Sequence, residues 1–198
     1  MIKIAEDFQW TSRCPGDPHE NYAVMMVRGL TSQDLLQRLN ARPVDPPRIT
    51  GAESLYEHWM DEWAGDDDLV GVFTIDDWAV AFEPGAHLLA DDDVLTRLSA
   101  GTRLVCHSGS VYTQDHFYWL ENGDLRLYIK PHWSEEREGT AADDLLEDMR
   151  AIGFRFAEDE GEEDPIAKAF ALAEHITGVG LTEETFEQAV YLLGAVPG

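Results

Sequence analysis

Positive charge is what this sequence has least of. Only 14 Lys and Arg stand against 39 Asp and Glu, and the formal net charge is −25 over 198 residues. Nucleic acids and anionic membrane surfaces are held by basic side chains that displace counterions, so the deficit argues against direct contact with either. Cysteine is almost as scarce. Cys14 and Cys106 are too few for a disulfide framework or a zinc cluster, and they read as reduced thiols of a cytoplasmic protein. No run approaches the roughly 18 apolar residues of a membrane span. The start, MIKIAEDFQW, lacks the basic segment and long apolar stretch of a secretory signal.

Motifs that would name a reaction are missing as well. The seven histidines (His19, His58, His87, His107, His116, His132 and His175) include no HExxH, HxH or tight pairing with cysteine. Ser108-Gly109-Ser110 is not a GxSxG elbow. Gly65-Asp66-Asp67-Asp68 lacks the downstream Glu of a calcium loop, and no glycine-rich stretch matches a phosphate cradle. The sequence implies no metal and no cofactor, and a non-enzymatic role is the expectation.

What is present is a folded chain. Apolar residues make up 44% and aromatics 10%, whereas disordered acidic chains are poor in aromatics. Residues 1–20, with Pro15-Gly16-Asp17-Pro18, read as an irregular lead-in to a single domain over 21–198. Tyr22–Val27 reads as a strand. Thr31 with Asp34, and Thr50 with Glu53, read as capping boxes opening helices. In the second of these helices Leu55, Tyr56, Trp59, Met60 and Trp63 form an apolar stripe.

The stretch VGVFTIDDWAVAFEP reads as a hairpin turning at Asp76-Asp77, with Ile75 opposite Trp78, Phe73 opposite Val80 and Gly71 opposite Phe82. A short helix over Asp92–Ser99 and a strand over Thr102–Tyr112 follow. In FYWLENGDLRLYIKP, Asn122-Gly123 suits a type I′ turn; the two-residue register pairs Leu120 with Leu125, Tyr118 with Leu127, Trp119 with Arg126 and Phe117 with Tyr128. Helices are expected from Thr140 to Gly153, from Pro165 to Thr177, and from Thr182 to Gly194. The last carries Phe186, Ala189, Val190 and Leu193 at helical spacing. The fold class is α+β: an antiparallel sheet of about five or six strands, helices packed on one side, and a C-terminal helical pair.

Candidate site residues fall into two sets. The acidic loops supply Asp66, Asp67 and Asp68, together with Glu158, Asp159, Glu160, Glu162, Glu163 and Asp164, as partner-binding residues. A ligand pocket between sheet and helices would draw on Glu83, His107, His116 and Trp119. The commoner outcome for each is structural: histidines in turns, carboxylates on solvated faces, aromatics in the core. Cys106, mid-strand, reads as a buried and inert thiol.

Trp78 through Glu83-Pro84, then Leu98-Ser99-Ala100-Gly101-Thr102, the aromatic strand before Asn122-Gly123, and AEHITGVGLTEETF together resemble an actinobacterial (Streptomyces-type) family of unknown function. The resemblance spans residues 20–195. It implies a bacterial cytoplasmic single domain, associated with conflict or signalling systems, and brings no activity and no catalytic residues. With the charge balance, the expectation is a non-enzymatic binding protein for a basic partner, an immunity protein or toxin neutraliser. Its alternative is a small enzyme or ligand-binding domain using the pocket residues.

Overall fold

The computed structural model describes residues 2–13, 21–61, 63, 67–85, 92–110, 115–156 and 161–197. Its organising element is β1 (Asn21–Arg28), in which Tyr22 to Val27 are all buried. Tyr22, Val24 and Met26 belong to one hydrophobic cluster and Ala23, Met25 and Val27 to another, so the strand is covered on both faces. The side bearing Tyr22, Val24 and Met26 is called the first face here, and the opposite side the second.

On one flank of β1 lie β4 (Trp78–Glu83), β3 (Asp68–Ile75), β9 (Val190–Val196) and β2 (Arg42–Thr50). On the other lie β5 (Arg103–Ser110), β6 (His116–Glu121), β7 (Asp124–Lys130) and β8 (Trp133–Glu138). The strands form one sheet in the order β2-β9-β3-β4-β1-β5-β6-β7-β8, and every neighbouring pair is antiparallel.

Both faces carry helices. On the first face, α2 (Ala52–Asp61), α4 (Leu146–Ile152), α5 (Pro165–Thr177) and α6 (Glu183–Gln188) contribute Leu55, Met149, Phe170 and Phe186 to the core. The lead-in joins them, because its 3₁₀ helix (Ala5–Arg13) buries Ala5 and Phe8 in the same cluster. Phe186 sits at the centre of an aromatic group, edge-on to Phe73, Phe82 and Phe170. On the second face, α1 (Ser32–Arg38) and α3 (Asp92–Leu98) insert Leu35, Leu36, Leu95 and Leu98. The expected capping box closes α1, with Thr31 Oγ1 accepting from Asp34 N and Asp34 accepting from Thr31 N.

This corrects the expected architecture in three ways. The sheet has nine strands rather than five or six, helices cover both faces rather than one, and there is no C-terminal helical pair. After α6 the chain leaves the helix at Ala189 and becomes β9, inserted between β2 and β3. The spacing of Phe186, Ala189, Val190 and Leu193 fits a helix. Yet β9 has Tyr191 and Leu193 on the first face and Leu192 and Val196 on the second, and a strand buried on both sides shows no alternation to reveal it. β2 and β8 were hidden differently. β2 contains Pro43, Pro46 and Pro47 and pairs only at its two ends, while β8 (WSEERE) is a charged edge.

The β3–β4 hairpin has the expected register throughout, with Asp76 at positive φ. The Asn122-Gly123 turn also forms, and Leu120 faces Leu125. Beyond it a bulge leaves Arg126 as the extra residue. Trp119 therefore faces Leu127, Tyr118 faces Tyr128 and Phe117 faces Ile129, one place off the two-residue register. Thr140 caps no helix. Its hydroxyl donates to Leu125 O, Asp143 pairs with Arg137, and α4 begins only at Leu146.

Candidate functional site

The four residues expected to line one pocket are divided by the sheet. Glu83 is opposite Ala23, Ala23 is opposite Ser108, and Ser108 is opposite His116, which places Glu83 and His116 on the second face. His107 faces Val24 and Phe117, and Trp119 faces Val105, which places both on the first. They do not converge.

His107 is fully buried against Phe170, with ring centroids 4.4 Å apart, and its Nδ1 shares a 3.0 Å hydrogen bond with the Tyr22 hydroxyl. Burial pushes its pKa down to about 3, so the ring is neutral near pH 7. Trp119 has two guanidinium groups over its ring, Arg103 at 5.8 Å and Arg126 at 5.5 Å from the centroid, and Glu121 lies near both arginines. Burial holds the Cys106 thiol well above its ordinary range, as expected of an inert core cysteine. Among the described residues, no group of three or more His, Cys, Asp or Glu is placed to hold a metal ion.

The acidic loops divide in a similar way. Asp66, Glu158, Asp159 and Glu160 lie outside the described residues. Asp67 pairs with Arg42, and its carbonyl accepts from the Trp63 indole at 2.8 Å. Asp68 opens β3, half-buried. Glu163 and Asp164 are exposed, Glu163 lying 3.7 Å from Arg155. Glu162 turns inward. Its carboxylate accepts from the Ser134 hydroxyl, from the backbone N–H groups of Arg155 and Phe156, and from Lys168 Nζ at 2.6 Å. It ties the stretch before α5 to β8 and is almost wholly shut off from solvent.

The register shift creates a feature that the sequence pattern does not indicate. The alternation of Phe117, Trp119 and Tyr128 with Arg126 and Lys130 suggests one aromatic and basic surface. The bulge at Arg126 separates Tyr128 from Trp119 and sets it beside Tyr118 on the second face. The Tyr118 and Tyr128 rings lie 4.8 Å apart, and the His116 ring stacks on both, its Nδ1 sharing a 3.1 Å hydrogen bond with the Tyr128 hydroxyl.

Beside this trio opens a groove of about 420 Å³. Leu95 and Thr96 of α3 form one wall; Tyr118, Leu120, Leu125 and Tyr128 form the floor; Glu138 of β8, directly opposite Tyr128, stands at the rim. The parity change at a bulge was the signal needed, and no turn residue announces it.

A second groove, of about 520 Å³, runs along the irregular β2 edge under α1 and carries Arg42 and Arg48. Of its two cations, Arg42 pairs with Asp67.

A family model described as a family of unknown function (DUF6461) matches residues 1–198. The chain belongs to that family. No curated protein and no solved structure matches it. No helix of the described residues is long and apolar enough to cross a membrane. Membership agrees with the resemblance as far as a family of unknown function and attaches no chemistry to any residue. The functional reading therefore rests on the charge distribution and on the aromatic groove.

Proposed function

We propose that this chain is a non-enzymatic binding domain for a basic protein, acting in an actinobacterial cytoplasm as an immunity protein or toxin neutraliser. The observation that carries the reading is the unbalanced charge of −25 together with how the few cations are used. Lys3, Arg28, Arg42, Arg103, Lys130, Arg137, Arg155 and Lys168 each face a carboxylate of the same chain. The surplus carboxylates include Glu53, Glu57, Asp61, Asp124, Asp144, Glu147, Glu184 and Glu187, all exposed to solvent. A field of one sign raises encounter with an oppositely charged partner by about 10- to 1,000-fold, and such steering is lost in salt.

The test is capture of partners from source-organism lysate at about 0.05 M and about 1 M salt. The association rate of any captured basic protein would then be followed by stopped flow across the same range. A basic nuclease or toxin domain whose association slows at least ten-fold in high salt, as steered encounters do, and which this chain inhibits, is the expected result. Partners that bind equally well at both salt concentrations would count against the reading.

A further inference from the structure

Steering brings a partner near but does not fix how it docks, and tight interfaces are anchored by a few side chains seated in pockets. Resting on the reading above, we propose that the groove between α3 and the β6–β7–β8 end of the second face seats an arginine side chain of the basic partner.

The floor offers two partly buried tyrosine rings in contact with one another, and arginine is the cation whose flat guanidinium stacks best on aromatic faces. The stem of an arginine is apolar, and Leu95, Leu120 and Leu125 line the groove for it. Glu138, exposed at the rim and opposite Tyr128, supplies the carboxylate for the guanidinium, while Glu136 on the same strand is already paired with Lys130. The His116 ring, stacked on both tyrosines and bonded to Tyr128, keeps the platform in place.

Charge complementarity chooses the occupant. An acidic or neutral apolar segment would meet Glu138 and the field of the whole molecule, and only a cation gains from both. The β2 groove fails the same criterion, because Arg42 and Arg48 line it.

The probe is an acetylated, amidated peptide of alternating glycine and arginine, compared with its citrulline counterpart. Citrulline keeps shape and hydrogen bonding but loses the charge. Protein labelled with 3-fluorotyrosine reports on the site, with the Tyr118 and Tyr128 resonances assigned through Tyr118→Phe and Tyr128→Phe. The arginine peptide is expected to shift those two resonances at about 0.15 M salt, and the citrulline peptide is not. Tyr128→Leu is expected to weaken the arginine peptide about five-fold, the size of a partly desolvated cation–π contact. Glu138→Gln, a surface change that spares folding, is expected to weaken it about two-fold.

Salt-sensitive binding that leaves both resonances still and is unchanged in both variants would overturn the groove as anchor and leave the acidic-surface reading standing. Citrulline binding as tightly as arginine would also overturn it. No binding of either peptide even at about 0.05 M salt would sink both proposals together.

Discussion

Lys168 Nζ lies 2.6 Å from Glu162 Oε2, and both side chains are almost wholly shut off from water. A buried pair of this kind is weak evidence for net stability, but removing one partner strands the other. Lys168→Met is expected to lower the unfolding free energy by about 3 kcal/mol, read from denaturant titration. Lys168→Met combined with Glu162→Leu is expected to recover none of the loss, because the Ser134 hydroxyl and the N–H groups of Arg155 and Phe156 then lose their acceptor. A single variant as stable as the parent would show that water reaches the carboxylate.

The same carboxylate sets part of the acid response. Burial alone would raise its pKa, but the donors Lys168, Ser134, Phe156 and Arg155 outweigh burial and hold it below the usual range. A carboxyl with a depressed folded pKa contributes stability above its unfolded value of about 4.3, and that contribution is lost as pH falls through the folded value. Glu162→Gln should therefore flatten the fall of stability below about pH 4.3. An unchanged acid limb would assign that limb to other carboxylates.

His107 acts earlier on the pH scale. Folded, it stays neutral down to about 3 because it is buried. The unfolded chain takes up its proton near pH 6.5, so stability falls as pH drops from that value toward the folded one. At pH 5 this single group costs about 2 kcal/mol relative to pH 8. His107→Phe should lower stability at pH 7, because the hydrogen bond between the Tyr22 hydroxyl and His107 is lost, and should narrow the gap between melting temperatures at pH 7 and pH 5. An unchanged gap would mean that the ring gains a proton without unfolding.

Gly71 in β3 tests how tightly β9 is inserted. A Cβ there would meet Leu55 at 2.6 Å and the Tyr191 ring at 2.8 Å, both in the core. Gly71→Ala is expected to cost about 1–3 kcal/mol by overpacking, seen as a lower melting temperature. A neutral result would indicate slack between α2 and β9.

Self-repulsion predicts an unusual salt response. With a net charge of −25, adding salt from about 0.01 M to about 0.15 M shortens the screening length from about 30 Å to about 8 Å and relieves like-charge repulsion. The melting temperature should rise over that range. A flat response would mean that the carboxylates are locally compensated and would weaken the case for a field that reaches a partner.

How much was legible from sequence depended on how each element meets water. The Asp76-Asp77 and Asn122-Gly123 turns announce themselves because positive φ favours a few residue types, and the hairpins on either side followed. The starts of α1, α5 and α6 were readable from Thr31, Pro165 and Thr182. β9 was missed because burial on both faces erases alternation, and β2 because its prolines argue against a strand that exists only at the sheet edge. The candidate pocket failed through parity. His107 and His116 lie on neighbouring strands, and the register that sets His116 opposite Ser108 rather than His107 is not contained in single-strand patterns. The aromatic groove needed the Arg126 bulge, which moves Tyr128 to the other face and leaves no mark in composition.

The place of β9 sets a timetable. β2 and β3 are synthesised early, yet each awaits a neighbour that leaves the ribosome only after β8, α4, α5 and α6 have been made. Long-range pairing of this sort folds slowly, and an unpaired strand edge invites the wrong partner meanwhile. The prolines of β2 then serve the growing chain as well as the finished sheet. They make that strand a poor template for anything except the short matched stretches of the segment that arrives so much later.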